Sequence, residues 1–333
     1  MLWHLPHMAE GTRLEFEAFG SPLGALAVRP FPVEEPAEGE VLVRLLAAPI
    51  NPADLNTIEG TYGIRPPLPA TPGIEGCGQV ELSNSPDFET GDLVIFLRRA
   101  GTWATHSVMP AATLFKLPQG IDPLQAAMLK VNPATAWRLF HDFGKPAAGE
   151  FIVQNAGNSA VSRCVIQLAT DLGIRTISFV RRPDLVDELI ALGADHVFTD
   201  DSSGFDAAQE VMGGKNAALA FNSVGGESAL RLMNLLREGG THITYGAMGK
   251  RPLTVPNGLL IFRDIQIRGL WVTRWLEKAS TGEVHAMYEH LAQRVAAGKL
   301  VQPIDSSYSL VHFPDAITRL AAEDRDGKVL FVP

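Results

Sequence analysis

From Asn132 onward the sequence alternates apolar runs with segments of helix length, and this alternation constrains the fold more than any other feature of the chain. It is the pattern of βαβ units and a parallel sheet. Phe151-Ile152-Val153-Gln154 reads as the first strand, Ser159 to Leu172 as a helix, and Thr176-Ile177-Ser178-Phe179-Val180 as the second strand. Pro183 to Leu192 continues as a helix, with Pro183 in its first turn and Gly193 after its end, and Ala194 to Phe198 follows as a third strand. Leu219-Ala220-Phe221-Asn222, His242-Ile243-Thr244-Tyr245 and Ile265-Gln266-Ile267-Arg268 add three strands. Ala229 to Arg237, closed by Gly239-Gly240, is a helix between the first two of these. Together they predict one doubly wound, dinucleotide-binding unit of the Rossmann type.

Residues 1 to about 130 have another rhythm. Pro and Gly separate short apolar runs such as Val41-Leu42-Val43-Arg44-Leu45-Leu46 and Asp92-Leu93-Val94-Ile95-Phe96, which predicts a β-rich domain with tight corners. The tail from about Leu300 ends in Lys328-Val329-Leu330-Phe331-Val332, a run suited to a strand that returns to this first domain. The expected class is therefore α/β, with a β-rich domain over 1–130 and 300–333 and a doubly wound domain over 131–299.

Charge narrows what such a chain binds. Lys+Arg 28 against Asp+Glu 37 gives 28 − 37 = −9, the wrong sign for nucleic acid or a membrane surface held by global charge, so any phosphate must be met by a local site. With 46% hydrophobic and 20% charged residues the chain has the means to bury a core, and intrinsic disorder is excluded. Two cysteines, Cys77 and Cys164, cannot build a disulfide framework or a four-thiolate zinc site, and a reduced, intracellular protein is expected. Met1 to Glu10 shows neither the basic run nor the apolar core of a signal peptide, and no stretch approaches the ~18 uncharged apolar residues of a spanning helix, so the expected location is the cytoplasm.

The turn after the first strand, Gln154-Asn155-Ala156-Gly157-Asn158-Ser159-Ala160-Val161-Ser162, lacks G-x-G-x-x-G but keeps the small residues that let backbone N–H groups approach a pyrophosphate. An ordinary strand-to-helix turn capped by Asn158 or Ser159 explains it equally well. The second strand ends Val180-Arg181-Arg182-Pro183-Asp184. Arginines there favour a 2′-phosphate, hence NADPH, where a carboxylate would accept from the free hydroxyl of NADH. The alternative is a solvated basic turn paired with Asp184 or Asp187.

These features make the sequence recognisable. It resembles the medium-chain dehydrogenase/reductase superfamily, and within it the zinc-free 2-enoyl thioester reductases of the mitochondrial enoyl-acyl-carrier-protein reductase type. The resemblance runs from about Phe16 to the C-terminus. It is carried by Asn51-Pro52-Ala53-Asp54-Leu55-Asn56 with Gly60-Thr61-Tyr62-Gly63, by Val131-Asn132-Pro133-Ala134-Thr135-Ala136, by the Gln154 turn, by Thr244-Tyr245-Gly246-Ala247-Met248 and by Arg268-Gly269-Leu270-Trp271-Val272-Thr273-Arg274-Trp275. It implies a GroES-like catalytic domain beside the Rossmann domain. The chain departs from the family at Ala160 and Ser162, where glycine is usual, and in the short connection Leu97 to Gly101.

Zinc enzymes of the superfamily need a cysteine near the start of the Asn51 block and a histidine before a later glutamate. This chain has Asn51-Pro52-Ala53-Asp54 and Gly73-Ile74-Glu75-Gly76 at those places, so no metal is expected. Reduction of a C=C bond conjugated to a carbonyl needs hydride at the β-carbon, a donor for the developing enolate and a proton for the α-carbon. Tyrosine suits the last task, being neutral at pH 7 with a pKa near 10.

The resemblance assigns that role to Tyr62, which by itself also reads as an aromatic plug under a glycine turn. It implies that Asn132 sits beside the nicotinamide, that Asn158, Ser159, Ala160 and Val161 wrap the pyrophosphate, and that Arg181 and Arg182 hold the 2′-phosphate. Tyr245, Gly246, Ala247 and Met248 with Leu270, Trp271, Val272 and Thr273 are implied to line the nicotinamide and substrate side, and Lys328 to touch the cofactor. A helix cap remains open for Asn132 and a core aromatic for Trp271. The expected substrate is a small-molecule enone, enal or enoyl thioester, and the expected assembly a homodimer, edge-strand dimers being common in the superfamily. A quinone reductase of the same superfamily and a non-catalytic NADPH-binding protein are the competing readings.

Overall fold

In β1 (Glu10–Phe16) and β2 (Leu26–Pro32) the chain forms an antiparallel pair running from Glu10 opposite Pro32 to Phe16 opposite Leu26. The structure is a computed structural model that describes residues 10–333; the expectation about a signal peptide falls, except for Glu10, outside the described residues. β3 (Glu40–Pro49), β4 (Cys77–Ser83), β5 (Leu93–Phe96), β6 (His106–Pro110) and β7 (Leu114–Lys116) continue the β-rich pattern. β3 is the long member, paired antiparallel to both β4 and β6. Alternate residues Val41, Val43 and Leu45 point into a core with Val80, Val94, Phe96 and Leu114, the period-2 burial of a sheet with one dry face.

The second unit, Asn132–Ala279, holds six parallel strands. These are β8 (Phe151–Gln154), β9 (Arg175–Val180), β10 (His196–Thr199), β11 (Ala217–Asn222), β12 (Leu236–Thr244) and β13 (Gln266–Gly269). Their order β10-β9-β8-β11-β12-β13 is the doubly wound arrangement, with the strand order reversing beside β8. Every residue of β8 and β11 is buried, as strands covered on both faces must be.

The Ser159–Leu172 reading holds closely: the helix is Ala160–Leu172, Ser159 accepts the N–H of Ser162 as its cap, and Gly173 closes it at φ 66°. The helix read as Ala229 to Arg237 is instead Gly226–Asn234. Leu235 and Leu236 are 1% and 0% exposed, and Leu236 already pairs with Ala217, so the chain turns into β12 before it reaches the glycines expected to end the helix.

The first unit runs through Val131 and resumes at Ser280–Pro333. β14 (Ile304–Tyr308) lies parallel to β15 (Lys328–Phe331), and β15 pairs with β3 at Leu330 opposite Pro49, which is the returning strand expected from the tail. Trp103 and Phe331 pack edge to face with centroids 4.9 Å apart in the core beneath it. The sequence predicts a boundary near 299, whereas contacts group the helix Thr281–Ala296 with this first unit. Its Tyr288 is fully buried, tilts against Phe115 and donates to the C=O of Lys130.

Candidate functional site

In the second unit the turn after β8 is fixed from several sides. Asn155 is fully buried; its amide donates to Asn222 Oδ1 at 2.8 Å and to Ser228 Oγ at 2.9 Å, and its Oδ1 accepts the N–H of Ser223. Asn222 Oδ1 also accepts the N–H groups of Val224 and Gly225, and its amide donates to Thr244 Oγ1. Gln154 donates to Ser178 Oγ. A belt of neutral polar groups thus joins the C-terminal ends of β8, β9, β11 and β12, where open α/β sheets bind ligands.

Close approach needs Gly157. Its N–H donates to the C=O of Phe179 at 2.8 Å, and a Cβ there would lie 3.0 Å from Ser178 Cβ. Ala156 before it takes φ 46°. Asn158 is exposed, and Ser159, Ala160 and Val161 are half-buried, placing the first N–H groups of a thirteen-residue helix, which have no partner within the helix, at the surface. Ser162, where the family usually has glycine, points inward: its hydroxyl donates to the C=O of Asn155 and lies 3.5 Å from the Tyr245 hydroxyl. Burial pushes that phenol above its ordinary pKa.

Arg181 is exposed and Arg182 half-buried at the end of β9, with Arg182 Nε 3.7 Å from Asp184. Asp200, the carboxylate in the strand-to-helix turn that follows β10, is engaged by Arg231 at 2.8 Å and by the Ser228 hydroxyl at 2.6 Å. Tyr245 and Gly246 are half-buried, and Ala247 and Met248 exposed, at the end of β12. Leu270, whose N–H donates to Thr244, leads to Trp271, the residue that caps the helix Val272–Lys278; Val272 is buried and Thr273 half-buried. Asn132, 5% exposed, is the first residue of the helix Asn132–His141.

Tyr62 and Lys328 belong instead to the first unit. The helix Pro52–Ile58 opens on a capping box, Asn51 with Asp54. At its other end the C=O of Asn56 accepts the N–H groups of Thr61 at 2.8 Å and Tyr62 at 3.0 Å, after Gly60 at φ 73°. Arg65 Nε donates to the C=O of Gly60. Tyr62 is half-buried in this turn.

Behind the same helix lies a buried set of charges that the sequence did not reveal. Asp54, Glu75, Lys130 and Lys328 are all buried. Asp54 accepts the N–H groups of Asn51 and Ile74, both at 2.9 Å. Glu75 accepts the Asn51 amide at 2.7 Å and the Val131 N–H at 2.8 Å. Lys130 donates to the C=O groups of Ile74 and Arg98, and Lys328 to Asn51 Oδ1 and, at 3.2 Å, to the C=O of Ile50. Burial raises Asp54 to about 6 and Glu75 to about 7, against the pull of Arg99 and the lysines, and lowers Lys130 to about 8. Asn51 and Glu75 thus form part of a network closed by Lys328. Among the described residues no three His, Cys, Asp or Glu side chains converge as a metal ion requires.

Residues 37–119 match the GroES-like domain of the alcohol dehydrogenases, and residues 160–293 match the zinc-binding dehydrogenase family. A mitochondrial enoyl-[acyl-carrier-protein] reductase of Xenopus tropicalis is 41% identical over 330 residues, covering 95% of this chain and 94% of that protein. The Etr1p reductase of Candida tropicalis, solved with NADP and crotonyl-CoA and also as a heterodimer with Etr2p, superposes at a TM-score of 0.90 with 28% identity, covering 98% of this chain and all of the other. A Bacillus thuringiensis chain assigned to the NADPH:quinone reductases matches with the same score and identity, over 98% and 99%.

The cytoplasmic location expected from the cysteines and from the absence of signal-peptide and spanning-helix patterns is corrected by the names of the relatives. The relatives from Xenopus tropicalis, Arabidopsis thaliana, Rattus norvegicus and Homo sapiens are all named mitochondrial. Two reduced thiols suit any reducing compartment, so composition had no power to choose among them.

Proposed function

This chain belongs to the enoyl-acyl-carrier-protein reductases of the medium-chain dehydrogenase/reductase superfamily, and from that premise we propose that it reduces the C=C bond of 2-enoyl thioesters with NADPH. The observation that carries the reading is the 41% identity sustained over 95% of the chain, with Tyr62 present in its glycine turn. The residues of the second unit fit the cofactor: the glycine at the β8 turn leaves room, helix N–H groups without a partner in the helix lie at the surface, and two arginines end β9 while Asp200 is already engaged. Asn158 to Val161 would hold the diphosphate, Arg181 and Arg182 the 2′-phosphate, and Asn132, Tyr245 to Met248 and Leu270 to Thr273 the nicotinamide side.

When bound, NADPH supplies the hydride for the β-carbon. Tyr62 delivers a proton from its hydroxyl oxygen to the α-carbon, and the hydroxyl is re-protonated from solvent. The hydrogen bonds from the N–H groups of Thr61 and Tyr62 to the C=O of Asn56 fix the stretch of backbone from which the ring projects.

Free 2-alkenals present the same conjugated bond and are the finer alternative substrate. Quinone reduction has one observation in its favour, the likeness to the Bacillus thuringiensis chain, but it needs no carbon-directed proton donor. Assembly as a homodimer is supported by β13, an edge strand of the six-stranded sheet, and by Ile261 and Phe262, 69% and 78% exposed in the helix Asn257–Arg263 just before it. Steady-state rates with NADPH on a crotonyl thioester, a free 2-alkenal and a quinone test the reading. The thioester should show the highest kcat/KM; a quinone that exceeded it would transfer the protein to the other reading.

A further inference from the structure

Arg163 is 3% exposed within the helix Ala160–Leu172. A guanidinium cannot shed its proton, so one buried this deeply must have its donors met by specific acceptors. Its Nε–H donates to the C=O of Asn158 at 3.1 Å, and Nη1 pairs with the carboxylate of Glu188. Asn158 belongs to the turn after β8. Glu188 belongs to the helix Val186–Ala191, which follows the Arg181-Arg182-Pro183 turn after β9. One side chain therefore ties the turn to which the reading above gives the diphosphate to the helix that carries the chain away from the turn given the 2′-phosphate.

The tie is stiff. The guanidinium is a planar fork, so its Nε and Nη1 bonds fix the Asn158 carbonyl and the Glu188 carboxylate relative to each other. The Asn158–Ser159 peptide is also held from its other end, because the N–H of Ser159 donates to the C=O of Ala156 at 2.8 Å. The Ser159 hydroxyl is committed to capping Ser162. The turn is thus set in shape by the protein, and an ordered site spends less of its binding free energy on ordering itself.

We propose that Arg163, together with Glu188, is a positioning residue that fixes the spacing of the diphosphate turn and the 2′-phosphate turn, and thereby sets the preference for NADPH over NADH without touching either phosphate. The proposal rests on the NADPH reading. A dinucleotide with a 2′-phosphate must engage both turns at once, whereas one without it engages only the first and adapts to a loosened second. Loosening the tie should therefore weaken the two ligands unequally.

Calorimetric titration of NADP+ and NAD+ into wild type, Arg163→Met, Glu188→Ala and the double variant tests this. Arg163→Met keeps the length of the side chain and removes both bonds. Should it fail to fold, Glu188→Ala carries the test alone, since the Glu188 side chain is 40% exposed and water can meet the guanidinium donor that it vacates. Each single variant should raise the Kd for NADP+ about tenfold, the double variant should be no weaker than the weaker single one, and in Glu188→Ala, which leaves the Arg163 bond to the diphosphate turn in place, the Kd for NAD+ should stay within about twofold. In Glu188→Ala, equal weakening of both dinucleotides or an unchanged Kd for NADP+ overturns the proposal. Wild type that bound neither dinucleotide would overturn the cofactor reading along with it, whereas failure in the variants alone leaves that reading standing.

Discussion

The two units hold their candidate residues by opposite means. Behind the Tyr62 turn the first unit packs Asp54, Glu75, Lys130 and Lys328 into its interior around Asn51. Around the β8 turn the second unit relies mainly on neutral groups, Gln154, Asn155, Ser178, Asn222 and Thr244, and carries charge where Ser228 meets Asp200 and Arg231 and where Arg163 pairs with Glu188. A neutral buried hydrogen bond contributes about 1 kcal/mol and is indifferent to pH. A buried charge is costly to desolvate, and removing one member of a hydrogen-bonded set leaves its partners unmet at a cost of about 1 to 3 kcal/mol. Single substitutions and pH should therefore act sharply in the first unit, while the second should lose function through loss of shape or of its surface arginines.

The largest expected effect lies in the first unit, at Tyr62. Tyr62→Phe removes one oxygen and keeps the ring in its turn, so the loss reports chemistry alone. A missing general acid costs about 10²-fold, which is the expected fall in kcat, with the Kd for NADP+ unchanged. A rate within about threefold of wild type would remove Tyr62 from the mechanism, since a lost proton donor should cost far more.

The second unit should answer through affinity. Each charge-assisted contact to the 2′-phosphate contributes about 1.5 to 3 kcal/mol, so replacing Arg181 and Arg182 together by alanine should raise the KM for NADPH at least about tenfold. The weak use of NADH should barely change, because neither side chain lies in the core. Equal loss with both cofactors would make the pair structural.

How far this contrast was legible in the sequence follows from the same physics. The strands of the second unit were readable because parallel strands covered on both faces must be nearly continuous apolar runs, as in Ala217–Asn222, and Ser159 announced its helix through its capping chemistry. Tyr62 was reachable only through the family resemblance, since its turn has no periodicity of its own. What stayed hidden was long-range pairing: Asn155 meets Asn222 and Ser228 across 67 and 73 residues, and Lys328 meets Asn51 across 277. Asp54, Glu75 and Lys130 look in sequence like ordinary surface charges, and Arg163 looks like any arginine on a helix. Only their shared burial sets them apart. The boundary at Ser280 escaped for the same reason, because the partner of Tyr288 is a backbone carbonyl 158 positions away.

Glu75 offers the finest test of the contrast, because its expected effect is the smallest and its sign is fixed. Burial raises its pKa from 4.5 to about 7, with the lysines and Asn51 offsetting only part of the cost. A folded-state carboxyl with a raised pKa keeps its proton where the unfolded chain has released it. Its ionisation therefore subtracts stability as pH rises from about 4.5, and the subtraction is complete above about 7. Glu75→Gln is nearly isosteric and stays neutral throughout, so its unfolding free energy relative to wild type should climb by about 1 kcal/mol between about pH 5 and pH 8, the full shift being reduced by local relaxation. Asn155→Ala in the second unit should instead be less stable than wild type by an amount that does not vary over the same range, since no titrating group is removed. Urea unfolding of both variants and wild type across this range measures the difference. A flat difference for Glu75→Gln would mean that the first unit's interior solvates its charges as well as water does, and the distinction between the two regions would disappear.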